Sequence, residues 1–69
     1  MMQLDGNKAE RAVRQRAYEL AESGRFDAAR GVERALIGEG WPNAAKVMRS
    51  SFVHQAVEER CRSARNKAH

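Results

Sequence analysis

The sequence predicts an all-α fold, a compact bundle of three main helices plus one short helix, in a single domain of 69 residues. Three observations carry this expectation. Apolar residues recur at helical spacing along most of the chain. Gly24 and Gly40 each stand just past the last apolar residue of a stripe, where a left-handed turn suits glycine. Asn7, Asp27, Asn43 and the pair Ser50-Ser51 stand just before the stripes begin, where helix caps belong.

The elements follow in order. Residues 1–6 are expected to fray. Asn7 can cap the first helix, with Glu10 three residues on as a capping box prefers. Ala9, Val13, Ala17 and Leu20 form its apolar stripe, so helix 1 runs about 8–23. Arg25-Phe26 is a very short connection that folds helix 2 back on helix 1, with Phe26 plugging the corner. Asp27 is the expected cap of helix 2, about 28–39, whose buried face is Ala28, Ala29, Val32, Ala35 and Leu36. Gly31 and Gly38 each cost about 1 kcal/mol inside a helix relative to alanine. They suggest a face that another helix approaches closely, although early fraying also explains Gly38. Gly40 ends helix 2, Pro42 forbids its continuation, and Trp41 is expected to fold back as a core anchor.

Asn43 can cap a short helix, about 44–50, that buries Ala44, Val47 and Met48. Treating 43–65 as one helix makes the apolar stripe jump around the axis near Ser50. A break is therefore expected there, with a last helix at about 52–65. Its stripe is Val53, Ala56, Val57, Cys61 and Ala64, and Glu58 and Arg62 form a favourable i,i+4 pair. Residues 66–69 are expected to be a tail.

Size and composition bound the function. Beyond Met1 and Met2, thirteen large apolar side chains and twelve alanines make one thin core and leave little room for a sheltered substrate pocket of roughly 300–1,000 Å³. No enzyme, cofactor or small-molecule substrate is expected. The single cysteine, Cys61, excludes an intramolecular disulfide and fits a reducing compartment. No signal peptide or membrane span is legible, so a cytoplasmic protein is expected. Residues 1–59 hold nine Lys/Arg and nine Asp/Glu, so the net charge of +4 lies wholly in Arg60, Arg62, Arg65 and Lys67. A basic end suits nucleic acid or an acidic partner. Cations there also complement the dipole of the last helix.

Some stretches resemble known proteins. Arg16-Ala17-Tyr18-Glu19-Leu20-Ala21-Glu22-Ser23-Gly24-Arg25-Phe26, with Glu39-Gly40-Trp41-Pro42-Asn43-Ala44, resembles short helical proteins of alphaproteobacteria, which implies a bacterial cytosol and no particular function. Gly24-Arg25-Phe26-Asp27-Ala28, Ala35-Leu36 and Pro42-Asn43 look like one tetratricopeptide repeat. About three such repeats are needed to bury their own faces, so the likeness implies a helical hairpin and no more. Helices 2 and 3 resemble a helix-turn-helix, although Gly38-Glu39-Gly40-Trp41-Pro42 is longer than that family's usual turn. The resemblance implies that helix 2 is the support and 43–50 the element entering the major groove.

Two candidate surfaces emerge from the residues. On helix 3, Asn43, Lys46, Arg49 and Ser50 point outward together if Ala44, Val47 and Met48 pack inward. Arginine can bridge guanine, asparagine can pair with adenine, and lysine and serine can hold phosphates. Arg60, Arg62, Arg65 and Lys67 would hold further phosphates of DNA. The bland reading is the polar outside that any short amphipathic helix has, with Asn43 occupied as a cap. On helix 1, Lys8, Arg11, Arg14 and Arg16 precede Glu19 and Glu22, an order that opposes the helix dipole. Tyr18 lies opposite the apolar stripe beside Arg11 and Arg14, the composition of a contact for a protein partner or a second copy. It also fits an ordinary solvated face. Metal binding is not expected, because His54 and Cys61 lie seven residues apart, about 10.5 Å along a helix. Nor is Cys61 expected to be a nucleophile, having no histidine placed as its base and a position on the apolar stripe.

Overall fold

Four helices make up most of the computed structural model, which describes the backbone of residues 4–67 and the side chains of residues 9–66. They are α1 (Leu4–Glu22), α2 (Ala29–Gly38), α3 (Ala44–Arg49) and α4 (Ser51–Lys67). Every pair of helices is in contact, and no described residue lies in a strand. The all-α bundle of three longer helices and one short helix is therefore as the periodicity predicts.

The two turns are built by glycine. Gly24 (φ +82°) ends α1, and Gly40 (φ +93°) follows α2, both in the left-handed region that a Cβ disfavours. After α2 the Trp41 N–H bonds to the Leu36 carbonyl at 3.2 Å and the Gly40 N–H to that of Ile37 at 3.0 Å. This is the Schellman pairing, which satisfies carbonyls that the helix end would otherwise orphan. It returns Trp41 onto the bundle, where the indole packs against the core as expected.

The core is thin. Val13, Ala17, Leu20 and Ala21 of α1 meet Ala29, Val32 and Leu36 of α2, Ala44, Val47 and Met48 of α3, and Val53, Val57 and Cys61 of α4. Ala9, expected on the α1 stripe, is exposed. Ala21, one turn beyond Ala17, is buried instead. Phe26 packs against the core, and the space it fills is the one Gly31 leaves. A Cβ at Gly31 would come within 3.1 Å of Phe26 Cδ1. A Cβ at Gly38 would meet nothing within 4 Å, so the two glycines do not form a helix-approach face.

Several expected caps are replaced. Helix α1 begins at Leu4, so Asn7 lies inside it and Glu10 instead faces Lys46 Nζ at 3.8 Å. The cap position of α2 is Ala28, which has no side chain to cap with, and Asp27 is turned to Arg65. The first N–H of α2, at Ala29, is taken by Glu58 Oε2 of α4 at 3.1 Å. Glu58 is thereby diverted from the expected pair with Arg62. Asn43 occupies the cap position of α3 without a side-chain bond. The break at Ser50 is present. Its backbone is extended (ψ 125°) and its Oγ accepts the Val53 N–H at 3.5 Å, starting α4. Helix α4 runs through Lys67, so Asn66 and Lys67 belong to the helix. Expected fraying at residues 1–3 and 68–69 lies outside the described residues, whereas residues 4–6 are helical.

Helices α1 and α4 run in the same direction. Glu10 and Arg14 lie by Val53, whereas Glu22 lies by Arg60. A second tie joins α1 to the α2–α3 turn. Arg16 donates from Nε (3.0 Å) and Nη2 (2.7 Å) to the Glu39 carboxylate, which also accepts the Trp41 Nε1–H at 2.9 Å. The Arg16 bonds, and then the indole bond, lower the Glu39 pKa from 4.5 to about 2. A carboxylate whose pKa is lowered by folding stabilises the fold above its unfolded value and loses that contribution as pH falls through its folded one. The stability difference between wild type and Glu39→Gln, measured by urea unfolding, is therefore expected to be constant above pH 4.5 and to shrink steadily towards pH 2. A pH-independent difference would mean that the Glu39 charge has no part in the tie.

Candidate functional site

Helix α3 presents the expected face. Ala44, Val47 and Met48 are buried, while Lys46, Arg49 and Ser50 are exposed and Asn43 is half-buried. The amphipathic pattern orients the helix, because turning Lys46 or Arg49 inward would bury an unpaired charge. At six residues the helix is about 9 Å long, and its Lys46 and Arg49 lie three apart, as neighbours on one face.

Fold geometry joins this face to a surface that the sequence suggests for another purpose. Arg14 of α1 enters a groove of about 210 Å³ with Glu10, Lys46, Val47, Ser50 and Val53. Arg11 is exposed and lies one helical turn before Arg14. Arg14 and Lys46 thus share the groove, with exposed Arg49 one helical turn from Lys46 on α3. Glu10 is the carboxylate lining the groove, and its 3.8 Å approach to a well-exposed Lys46 makes a weak pair. Nothing in the sequence pattern shows that α1 and α3 meet at this point.

The remaining suggested residues lie elsewhere and are largely engaged. Arg60 bonds Glu22 Oε2 through Nε at 3.1 Å, and its guanidinium stacks over the Tyr18 ring at 4.1 Å. Tyr18 is thus a half-buried ring packed against the core and roofed by α4, and not an exposed contact. Cation–π attraction of this kind contributes about 0.5–1 kcal/mol at an exposed site. Arg65 pairs with Asp27. Arg62 is exposed and has no ion pair among the described residues. The Lys67 side chain lies outside the described residues. Arg62 is twelve residues beyond Ser50, about 18 Å along the helix, so the basic end and α3 do not form one patch.

His54 Nε2 and Glu58 Oε2 lie 3.9 Å apart on α4, and Cys61 is fully buried. Burial raises the Cys61 thiol pKa above its ordinary value, with the negative charges of Glu58 and Asp27 acting the same way. That is the opposite of an activated thiolate. Among the described residues no three His, Cys, Asp or Glu side chains gather as a metal-ligand set. Among those residues, too, no helix is long and apolar enough to cross a membrane. Among the described residues two large apolar side chains are exposed, Phe52 at 76% and Ile37 at 55%. Phe52 stands one position off the stripe of Val53, Val57 and Cys61, a signal that the sequence does contain.

No protein-family model matches the chain, and no curated protein or solved structure shows significant similarity to it.

Proposed function

We propose that this chain is a small, non-enzymatic binding module of the bacterial cytoplasm. It takes duplex DNA on the surface formed by α1 and α3, a helix-turn-helix-like element with α2 as the support. The observation that carries the reading is that Arg14 and Lys46 line one groove with a single carboxylate, while exposed Arg11 and Arg49 stand one helical turn from them. Phosphate neutralisation by such cations supplies most non-specific affinity. Base contacts would come from Arg49 and Asn43, at the two ends of the short helix. Arg60 and Arg65 do not belong to this surface, since both have carboxylate partners within the fold.

The test is fluorescence anisotropy with a labelled mixed-sequence duplex at several salt concentrations. Four phosphate contacts give a slope of log K against log salt of about −3.6, or about a hundredfold loss for a fourfold rise in salt. Lys46→Ala is expected to make the slope shallower by about one. Arg49→Ala is expected to weaken binding with the fold intact, and Arg65→Ala is expected to leave the slope unchanged. Absent or salt-independent binding, or an Arg65 effect equal to that of Lys46, would sink the reading.

Exposed Phe52 and Ile37 favour a second reading, a protein-interaction module that binds a second copy or a larger partner. Aromatic residues are enriched in the cores of such interfaces. A melting temperature that rises with protein concentration, together with no DNA binding, would select it.

A further inference from the structure

The cleft between the start of α2 and α4 is a second place where charge gathers. It is an open cleft of about 580 Å³ lined by Arg25, Phe26, Asp27, Arg30, His54 and Glu58, among others. Sorting these charges by their partners leaves an imbalance. Asp27 is paired with Arg65. Glu58 accepts the Ala29 N–H and lies 3.9 Å from His54 Nε2. Arg25 and Arg30 are exposed, and among the described residues neither has a carboxylate within ion-pair distance. Both acids of the cleft are thus already engaged within the fold, while two guanidinium groups face solvent. The positive end of α2 is not the attraction, because Glu58 already occupies it.

Phe26 supplies the apolar part of the cleft. It packs against the core and fills the space above Gly31, with the Arg25 guanidinium 5.9 Å from its ring centre. We propose that this cleft binds a small phosphate monoester carrying an aromatic group, of the nucleoside monophosphate class. A phosphate monoester carries about −1.5 to −2 charges near neutral pH, matching the two guanidinium groups, which pair with phosphate bidentately. His54 supplies a further donor. The cleft volume exceeds what phosphate alone fills and lies within the roughly 300–1,000 Å³ of small-molecule sites. The organic ring rests against Phe26 and the Arg25 plane. This site is separate from the α1–α3 groove and does not depend on DNA binding.

The test is a two-dimensional amide NMR titration of the whole chain at fixed ionic strength. Adenosine monophosphate, inorganic phosphate and adenosine are added in separate series. Saturable shifts confined to residues 25–31 and 54–58 are expected with the monophosphate, at lower concentration than with inorganic phosphate. Arg25→Ala/Arg30→Ala is expected to weaken binding by roughly tenfold or more. Both side chains are exposed, and an unchanged spectrum elsewhere confirms that the variant folds. Three results would each overturn the proposal: adenosine acting as well as its monophosphate, shifts that never saturate, or equal shifts at Arg14 and Lys46. Undiminished binding by the double variant would do the same.

Discussion

Replacing Leu36 by alanine is expected to cost about 3 kcal/mol, the largest loss from truncating any of the fully buried side chains among the described residues. Among the described residues Leu36 is the largest side chain that is fully buried. Truncation removes the transfer free energy of the lost carbons and leaves a cavity that close-packed helices only partly fill, for a typical loss of about 2–5 kcal/mol. A domain of this size has roughly 3–10 kcal/mol of stability in all, so a large part of the total is at stake. The melting temperature, followed by far-ultraviolet circular dichroism, is expected to fall by about 12–24 °C. Ile37 is its neighbour in the chain but is 55% exposed. Ile37→Ala is expected to change stability by less than about 1 kcal/mol. Similar losses for the two variants would mean that the core is not centred where the burial places it.

Ala17→Leu is expected to destabilise by about 2–3 kcal/mol, in the opposite geometric sense. Ala17 and Ala21 have no exposed surface, so α1 meets its neighbours there through small side chains set between Val13 and Leu20. The separation of packed helices, about 8–10 Å, is set by the side chains at the contact. Adding three carbons to a filled interior forces strained rotamers or shifted helices, at about 1–3 kcal/mol. Ala12→Leu is the control, because Ala12 is exposed and leucine is nearly as good a helix former as alanine. Urea unfolding of both variants decides the matter. If Ala17→Leu is as stable as Ala12→Leu, the alanines are not what brings the helices close.

What the sequence made legible follows from which effects are local. Helix number, the left-handed glycines at 24 and 40, the return of Trp41 and the break at Ser50 each depend on a few consecutive residues, and all are present. The caps were less legible. Asp27 and Asn43 are good capping residues by type, yet Asp27 pairs with Arg65 and Glu58 reaches α2 from 29 residues away. Tyr18 was misplaced for the same reason. A helical wheel puts it opposite the apolar stripe, but a wheel contains one helix, and Arg60 comes from another. The α3 face was legible because burying Val47 and Met48 fixes which side is outward. Its junction with Arg14 was not, because only the packing of α1 against α3 creates it.

The Glu58 bond to Ala29 bears on the order in which the molecule assembles. During synthesis α1 and α2 leave the ribosome first, before Glu58 and the Arg65 that holds Asp27 away from α2. The native hold on the first amide of α2 therefore forms only once α4 has docked. The last helix closes the fold by tying down an end made much earlier. In the native protein, exchange of the Ala29 amide with solvent is accordingly tied to detachment of α4, so its protection reports on the bundle as a whole rather than on the local turn.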